Sequence, residues 1–190
     1  MEQIAVYILA GGKSSRMGTD KGLLLLNNKP MIQGIIDTAV TVTDSITIIS
    51  NNEAYKSFGY PVVPDFIKDK GPVGGIYTAL SHTKIQTNLI LSCDTPFVSL
   101  KLMQRLIDRS SSVDVCIPSF KGRLHPLIGV YKKEVASVFK NCLDNDILKL
   151  MVVNQKLNSL IIEVEKLHSK IEFSNLNTKT DLENSQHKKR

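Results

Sequence analysis

A chain of 190 residues, 42% of them apolar, is long enough to bury a sizeable core in one α/β domain. No apolar run approaches the ~18 residues that cross a bilayer, so a membrane-spanning helix is excluded. Net charge is +6, with Lys188, Lys189 and Arg190 supplying three of those charges; five Tyr, six Phe and no Trp, without aromatic-basic alternation, leave base stacking on nucleic acid unsupported.

The opening MEQIAVYILAGG carries an acid and lacks a basic n-region, which argues against a secretory leader and for the cytoplasm. Ile4 to Leu9 reads as a buried strand. The stretch Leu9 to Lys21, LAGGKSSRMGTDK, follows it with three glycines, two serines, a threonine and the cations Lys13, Arg16 and Lys21. Glycines let a backbone approach a ligand. Consecutive N–H groups in such a loop form a concave anion site, which cations reinforce.

The loop matches neither familiar glycine pattern. A P-loop counted from Gly12 needs its second glycine one place before Gly18, and then Lys-Ser/Thr where Thr19-Asp20 stand. The dinucleotide pattern fails because Lys13 occupies a glycine position. Glycines alone would also suit a flexible strand-to-helix connection. Three cations in register with them turn the balance toward phosphate binding.

Gly22 to Leu26 is a short extended piece turned back at Asn27-Asn28. Pro30 opens a helix at about Met31, with Ile32, Ile35, Ile36, Ala39 and Val40 on one face. Ser45–Ser50 is a second strand, Glu53–Phe58 a short helix, and Tyr60–Pro64 a brief third strand ending at Asp65. Asp69-Lys70-Gly71-Pro72-Val73-Gly74-Gly75 reads as a second glycine-rich turn, leading into a helix from about Val73 to His82. Asn88–Ser92 is a central strand buried on both faces, closed by Cys93-Asp94-Thr95-Pro96. Ser99 is positioned to cap a helix over Leu100–Arg109.

Val113–Pro118 is a further strand, and Lys121-Gly122 turns into an extended segment from Leu124 to Tyr131. Lys132–Cys142 and Ile147–Asn154 read as helical, Ser159–Val164 and Ile171–Ser174 as strands. Asn175–Thr178 is a loop into a last helix. This alternation predicts a Rossmann-like α/β fold, a mainly parallel sheet with helices on both faces. Ligands on such sheets bind beyond the carboxyl ends of the strands, where Leu9–Lys21, Asp65 with Gly71–Gly75, and Asp94 all fall.

Asp94, just past a buried strand and before Pro96, is either a turn aspartate or a magnesium ligand shared with substrate phosphates. Asp65 can cap the segment after it or accept hydrogen bonds from a nucleoside. His82 is placed to cap helix carbonyls, and His125, after Arg123 in a turn, is the one histidine with a functional reading. Cys93, Cys116 and Cys142 are widely spaced, so buried free thiols are expected rather than a zinc site or disulfides. No nucleophile–base pair stands out, as suits phosphate chemistry driven by positioning and charge neutralisation.

Leu9-Ala10-Gly11-Gly12-x-Ser14-x-Arg16-Met17-Gly18-x-x-Lys21 resembles the signature of the molybdenum cofactor guanylyltransferases. The likeness continues through Lys29-Pro30, Asp65, Gly71–Gly75, Cys93–Pro96, His125-Pro126 and Asn175-x-Asn177-Thr178, in order, from about residue 4 to 183. It implies one nucleotidyltransferase domain over residues 1–183, of the nucleotide-diphospho-sugar transferase type, and a polar basic tail over 184–190, read as disordered. It implies a Mg²⁺-dependent transfer of GMP from GTP to the terminal phosphate of molybdopterin, with release of pyrophosphate.

On that resemblance Leu9, Ala10, Gly11 and Gly12 contact the guanine nucleotide, Lys13, Arg16 and Lys21 neutralise the triphosphate, Asp65 touches the nucleoside and Asp94 holds Mg²⁺. Arg16, Lys21 and Asp94 are the catalytic set, and Arg123, His125, Asn175 and Asn177 line the pterin side. Other cofactor-biosynthesis or molybdoenzyme-chaperone proteins are implied partners; nucleic acid and membrane are not. The alternatives are a CTP-using cytidylyltransferase, which typically shows Ala-Ala-Gly where this chain has Ala10-Gly11-Gly12, and a nucleotide-binding protein without turnover.

Overall fold

The computed structural model describes residues 3–11, 20–176 and 181. The body of the glycine loop, most of the expected last helix and the basic tail lie outside the described residues. Strand β1 (Ile4–Leu9) comes first, and a 3₁₀ turn over Lys21–Leu23 precedes β2 (Leu25–Leu26) and β3 (Lys29–Pro30). Asn27 and Asn28, at φ 52° and 63°, join these two as a hairpin, because paired positive φ angles match strand twist. Helix α1 (Met31–Ala39) follows Pro30 directly, and β4 (Ile46–Ile49) leads to a 3₁₀ helix over Glu53–Phe58 that Asn52 caps.

Next come β5 (Val62–Val63), α2 (Gly71–His82), β6 (Thr87–Ser92) and α3 (Leu100–Asp108). Ser99 Oγ accepts the Leu102 N–H at 3.2 Å, satisfying one of the orphan donors at the start of α3. The remainder comprises β7 (Val115–Phe120), β8 (Arg123–Leu124) and β9 (Ile128–Lys132). Helices α4 (Ala136–Asp144) and α5 (Leu150–Asn154) and strand β10 (Ser159–Glu163) complete it.

The main sheet runs β10-β7-β9-β6-β1-β4-β5, with β8 beside β7. β1 lies parallel between β4 and β6, while β9 is antiparallel to both β6 and β7. The expected Rossmann-like, mainly parallel fold is thus present, with β9 set antiparallel within it and β8 antiparallel beside β7. Side chains alternate along β1: Val6 and Ile8 meet α1 and α3 on one face, and Ala5 and Tyr7 meet α2 and α4 on the other. Each fully buried aliphatic side chain stabilises by about 1.5–3 kcal/mol, and β1 contributes to both cores.

Register places the functional segments. Leu9 pairs with Ile49 on one side and Ser92 on the other, and Ile49 pairs with Val63. Four parallel strands therefore end at one level, and Ala10-Gly11, Ser50-Asn51, Pro64-Asp65 and Cys93-Asp94 leave the sheet side by side.

Several expectations are corrected. Gly71–Gly75 is the first turn of α2 rather than a turn before it; Pro72 is pre-organised for an initial helical position. Ile171–Ser174 is a 3₁₀ helix over Lys170–Phe173, not a strand, because Ser169 and Glu172 form a reciprocal capping box. Val40 falls after the last residue of α1 and is exposed. Lys132 ends β9, so the helix after it starts later. The helix expected from Ile147 is confined to α5, which begins at Leu150. His82 does not cap carbonyls but pairs its Nδ1 with the Tyr7 hydroxyl at 3.0 Å.

Gly34 ties α1 to the loop after β6. A Cβ there would lie 2.9 Å from the Pro96 carbonyl oxygen, so the backbone must move. Gly34→Ala should gain ~1 kcal/mol of helix propensity yet lose ~1–3 kcal/mol to overpacking. We expect a net loss of stability in urea denaturation; a clear gain would show that the loop gives way freely.

Candidate active site

The end of β1 is held from both sides. Ala10 donates its N–H to the Ile49 carbonyl at 2.9 Å, and Leu9 accepts from Cys93 N at 3.0 Å. Gly11 then adopts φ 155°, a backbone state L residues rarely adopt. Space is not its constraint, since a Cβ would stand 3.7 Å from Ser50 Oγ. Glycine is needed here for conformation, as the chain turns off the sheet.

At the ends of β4 and β5, Asn51 and Asp65 form a reciprocal pair. Asn51 Nδ2 donates to Asp65 Oδ2 at 3.0 Å, and Asp65 N donates to Asn51 Oδ1 at 3.1 Å. The two short strands meet over only two residue pairs, so this side-chain lock continues their register beyond the sheet. Burial raises the Asp65 carboxyl above its ordinary range, partly opposed by the Asn51 hydrogen bond.

After β6, Thr95 folds back on the strand through its N–H and Oγ1, both donating to the Ser92 carbonyl at 3.1 and 2.9 Å. This tight turn presents Asp94, whose Oδ1 accepts from Ser92 Oγ at 2.7 Å. Leu176 N donates to the Asp94 carbonyl at 2.9 Å, so the C-terminal segment closes on the same turn. Burial pushes the neighbouring Cys93 thiol up to about 12, with the charges of Asp94 and Asp20 adding to the rise and Lys21 opposing it.

These strand ends bound a cleft of about 620 Å³, within the ~300–1,000 Å³ typical of small-molecule sites. Leu9, Ala10 and Gly11 line one wall, Asn51 and Asp65 another, and Ser92 and Asp94 the floor. Among the described residues the charged groups lining it are Asp65, Asp69 and Asp94, so a polyanion entering it needs cations from elsewhere. Among the described residues no group of three or more His, Cys, Asp or Glu is placed to hold a metal ion by itself. A single strand-end carboxylate, with one oxygen fixed by Ser92, fits Mg²⁺ of the kind shared with substrate phosphates and waters.

The structure brings Leu9, Ala10, Gly11, Asp65 and Asp94 to one cleft. Lys21 starts the 3₁₀ turn beyond the loop, and Asn175 precedes the Leu176 that bonds to Asp94. Arg123 and His125 do not line the cleft. Arg123 is exposed on β8, and the His125 ring is buried against Phe173 at a centroid distance of 4.7 Å. Burial, with the Arg123 charge, lowers the His125 pKa. Gly12, Lys13, Arg16 and Asn177 lie outside the described residues. All three cysteines are free and buried.

Asn51 escaped the reading of the sequence because Asn51-Asn52 reads as turn punctuation. Its only signal was its place one residue past a strand that ends level with β1. Asp69 opens the second glycine-rich stretch but has no role read for it there, and Leu127 carries no signal of its own.

A glycine turn and a strand-end carboxylate at the carboxyl edge of this mainly parallel sheet are the arrangement of the nucleotidyltransferase class. Residues 6–159 match the MobA-like NTP transferase domain, and the chain belongs to that family. It is 39% identical over 183 residues to a protein of Flavobacterium johnsoniae named a probable molybdenum cofactor guanylyltransferase, covering 96% of each chain. A Vibrio campbellii molybdenum cofactor guanylyltransferase is 31% identical over 184 residues, covering 95% of this chain and 93% of that one. The crystal structure of molybdopterin-guanine dinucleotide biosynthesis protein A from Archaeoglobus fulgidus superposes with a TM-score of 0.82 at 25% identity, covering 96% and 97% of the two chains.

The raised Asp65 pKa makes a stability prediction. A carboxyl whose folded pKa exceeds its ordinary 3.8 binds its proton more tightly when folded, so stability falls as pH rises through that range. Asp65→Asn removes the half-buried charge and keeps an acceptor for Asn51. Its Tm at pH 7 should equal or exceed that of the parent, and any gain should vanish below about pH 3, where Asp65 is neutral. A lower Tm at pH 7 would show that the charge stabilises the fold.

Proposed function

We propose that this chain is a molybdenum cofactor guanylyltransferase, moving GMP from GTP to the terminal phosphate of molybdopterin with release of pyrophosphate. The observation that carries the reading is the convergence of Gly11, Asn51, Asp65 and Asp94 at one level of a sheet whose near-full-length relatives bear that name.

Leu9, Ala10 and Gly11 offer backbone groups to the guanine nucleotide. The Asn51–Asp65 pair supplies a carboxylate already oriented by an amide, suited to accept hydrogen bonds from the nucleoside. Lys21, with Lys13 and Arg16, meets the negative charge of the triphosphate, which the acidic walls of the cleft cannot. Asp94 would hold Mg²⁺, which neutralises phosphate charge and polarises the α-phosphate when bound. No general base is required, because the attacking molybdopterin phosphate is already ionised at neutral pH. The roles of these residues are then to bind, align and neutralise, which can supply most of the rate in phosphoryl-type transfer.

Asn175, with Asn177, is assigned to the pterin side, because Leu176 fastens that segment to the Asp94 turn. Arg123 and His125 are not among the residues that line the cleft, and the His125 ring packs on Phe173 instead. No helix among the described residues is long and apolar enough to cross a membrane. Three buried free thiols suit a reducing compartment such as the cytoplasm.

With Mg²⁺ present, GTP should raise the Tm more than CTP at equal concentration, as expected when one base edge satisfies the site's polar groups and the other leaves them unpaired. The reverse order would overturn the guanylyl assignment. Asp94→Asn should lower pyrophosphate release at least ~100-fold, as for loss of a transition-state electrostatic contact, with the unfolding midpoint in urea unchanged. Near-parental turnover would remove Asp94 from the metal site.

A further inference from the structure

Asp20, the residue before Lys21, is tied down far more firmly than a loop residue requires. Its Oδ1 accepts from the Tyr55 hydroxyl and, at 3.3 Å, from Gly22 N. Its Oδ2 accepts from Asn52 Nδ2 at 3.2 Å. Tyr55 is 0% exposed, and its phenol is held protonated by burial and by the hydrogen bond to, and charge of, Asp20. The donor therefore always faces the carboxylate. Asn52 cannot reverse its amide without cost, because its Oδ1 already accepts from Ala54 N at 3.0 Å as the cap of the 3₁₀ helix.

Packing closes the same joint. A Cβ on Gly22 would stand 2.4 Å from the Tyr55 hydroxyl and 3.2 Å from its ring, so only glycine lets the chain cross the tyrosine there. Asn52 also donates its N–H to Ser50 Oγ at 3.1 Å, and Asn51, its neighbour, is locked to Asp65. Two hydrogen-bonded pairs, joined by the Asn51–Asn52 backbone, thus lead from the Asn51–Asp65 wall of the cleft to the residue adjoining Lys21.

We propose that Asp20 is a positioning residue: the Tyr55–Asp20–Asn52 latch sets where Lys21 leaves the backbone and couples that point to the Asn51–Asp65 wall. It rests on the reading of Lys21 as a triphosphate-neutralising cation. Asp20 touches no substrate, and a carboxylate beside a polyanion would by itself weaken binding. Its benefit must come through the geometry it imposes on its neighbour, with its charge absorbed by three donors.

The test measures binding of GTP and of GMP, each with Mg²⁺, to the full chain by calorimetry, in the parent, Asp20→Asn, Tyr55→Phe, Lys21→Ala and the Asp20→Asn/Lys21→Ala double variant. Asp20→Asn sets an amide donor against Asn52 Nδ2, and Tyr55→Phe deletes one hydroxyl. Each should weaken GTP about tenfold, as for loss of one charge-assisted hydrogen bond, and GMP less than about twofold. In the Lys21→Ala background Asp20→Asn should cost nothing further, since coupled residues are non-additive. Equal losses for GTP and GMP, or additive losses in the double variant, would overturn the positioning role. Lys21→Ala without effect on GTP would instead sink the assignment of Lys21 itself.

Discussion

The register of β4, β1 and β6 is the constraint on which the site depends. Leu9 faces Ile49 and Ser92 across the two parallel ladders, and nothing that follows is possible if that pairing slips. A shift of one residue would turn Val6 and Ile8 toward the wrong helices and send Asn51 and Asp94 to different depths. The two cores oppose such a slip with the burial of every alternate side chain of β1. Folding energy and functional geometry are therefore set by the same contacts.

Beyond the sheet, short side-chain devices carry the register into the loops. Asn51 and Asp65 extend the β4–β5 pairing, Ser92 and Thr95 shape the turn of Asp94, and Asp20, Asn52 and Tyr55 join the end of the glycine loop to the same edge. The Ser92 and Thr95 bonds are local, whereas the Asn51–Asp65 and Tyr55–Asp20–Asn52 bonds join residues far apart in sequence. The cost is visible at Asp65, whose charge is held where burial disfavours it. Such stored cost is common where carboxylates serve ligands.

Much of this was legible in the sequence. Continuous apolar runs gave β1 and β6, helical spacing gave α1, and Ser99 announced α3. The placement of Gly11, Asp65 and Asp94 at one sheet edge followed from alternation alone. Long-range pairing was not legible. Nothing local shows that Tyr55 reaches Asp20, that Asn51 meets Asp65, or that His125 turns inward onto Phe173. The Ile171–Ser174 segment misled because Ile-Glu-Phe alternates like a strand, while the capping pair Ser169 and Glu172 decides for a helical turn.

The central claim, that this strand-end cleft passes a guanine nucleotide to molybdopterin, is tested most directly by pyrophosphate release from GTP, CTP, ATP and UTP, each with Mg²⁺, with and without molybdopterin. The account predicts release from GTP that depends on molybdopterin and exceeds the other nucleotides by about 100-fold or more, the discrimination available to a site that hydrogen-bonds one base edge. Release from CTP equal to that from GTP, or release indifferent to molybdopterin, would contradict it.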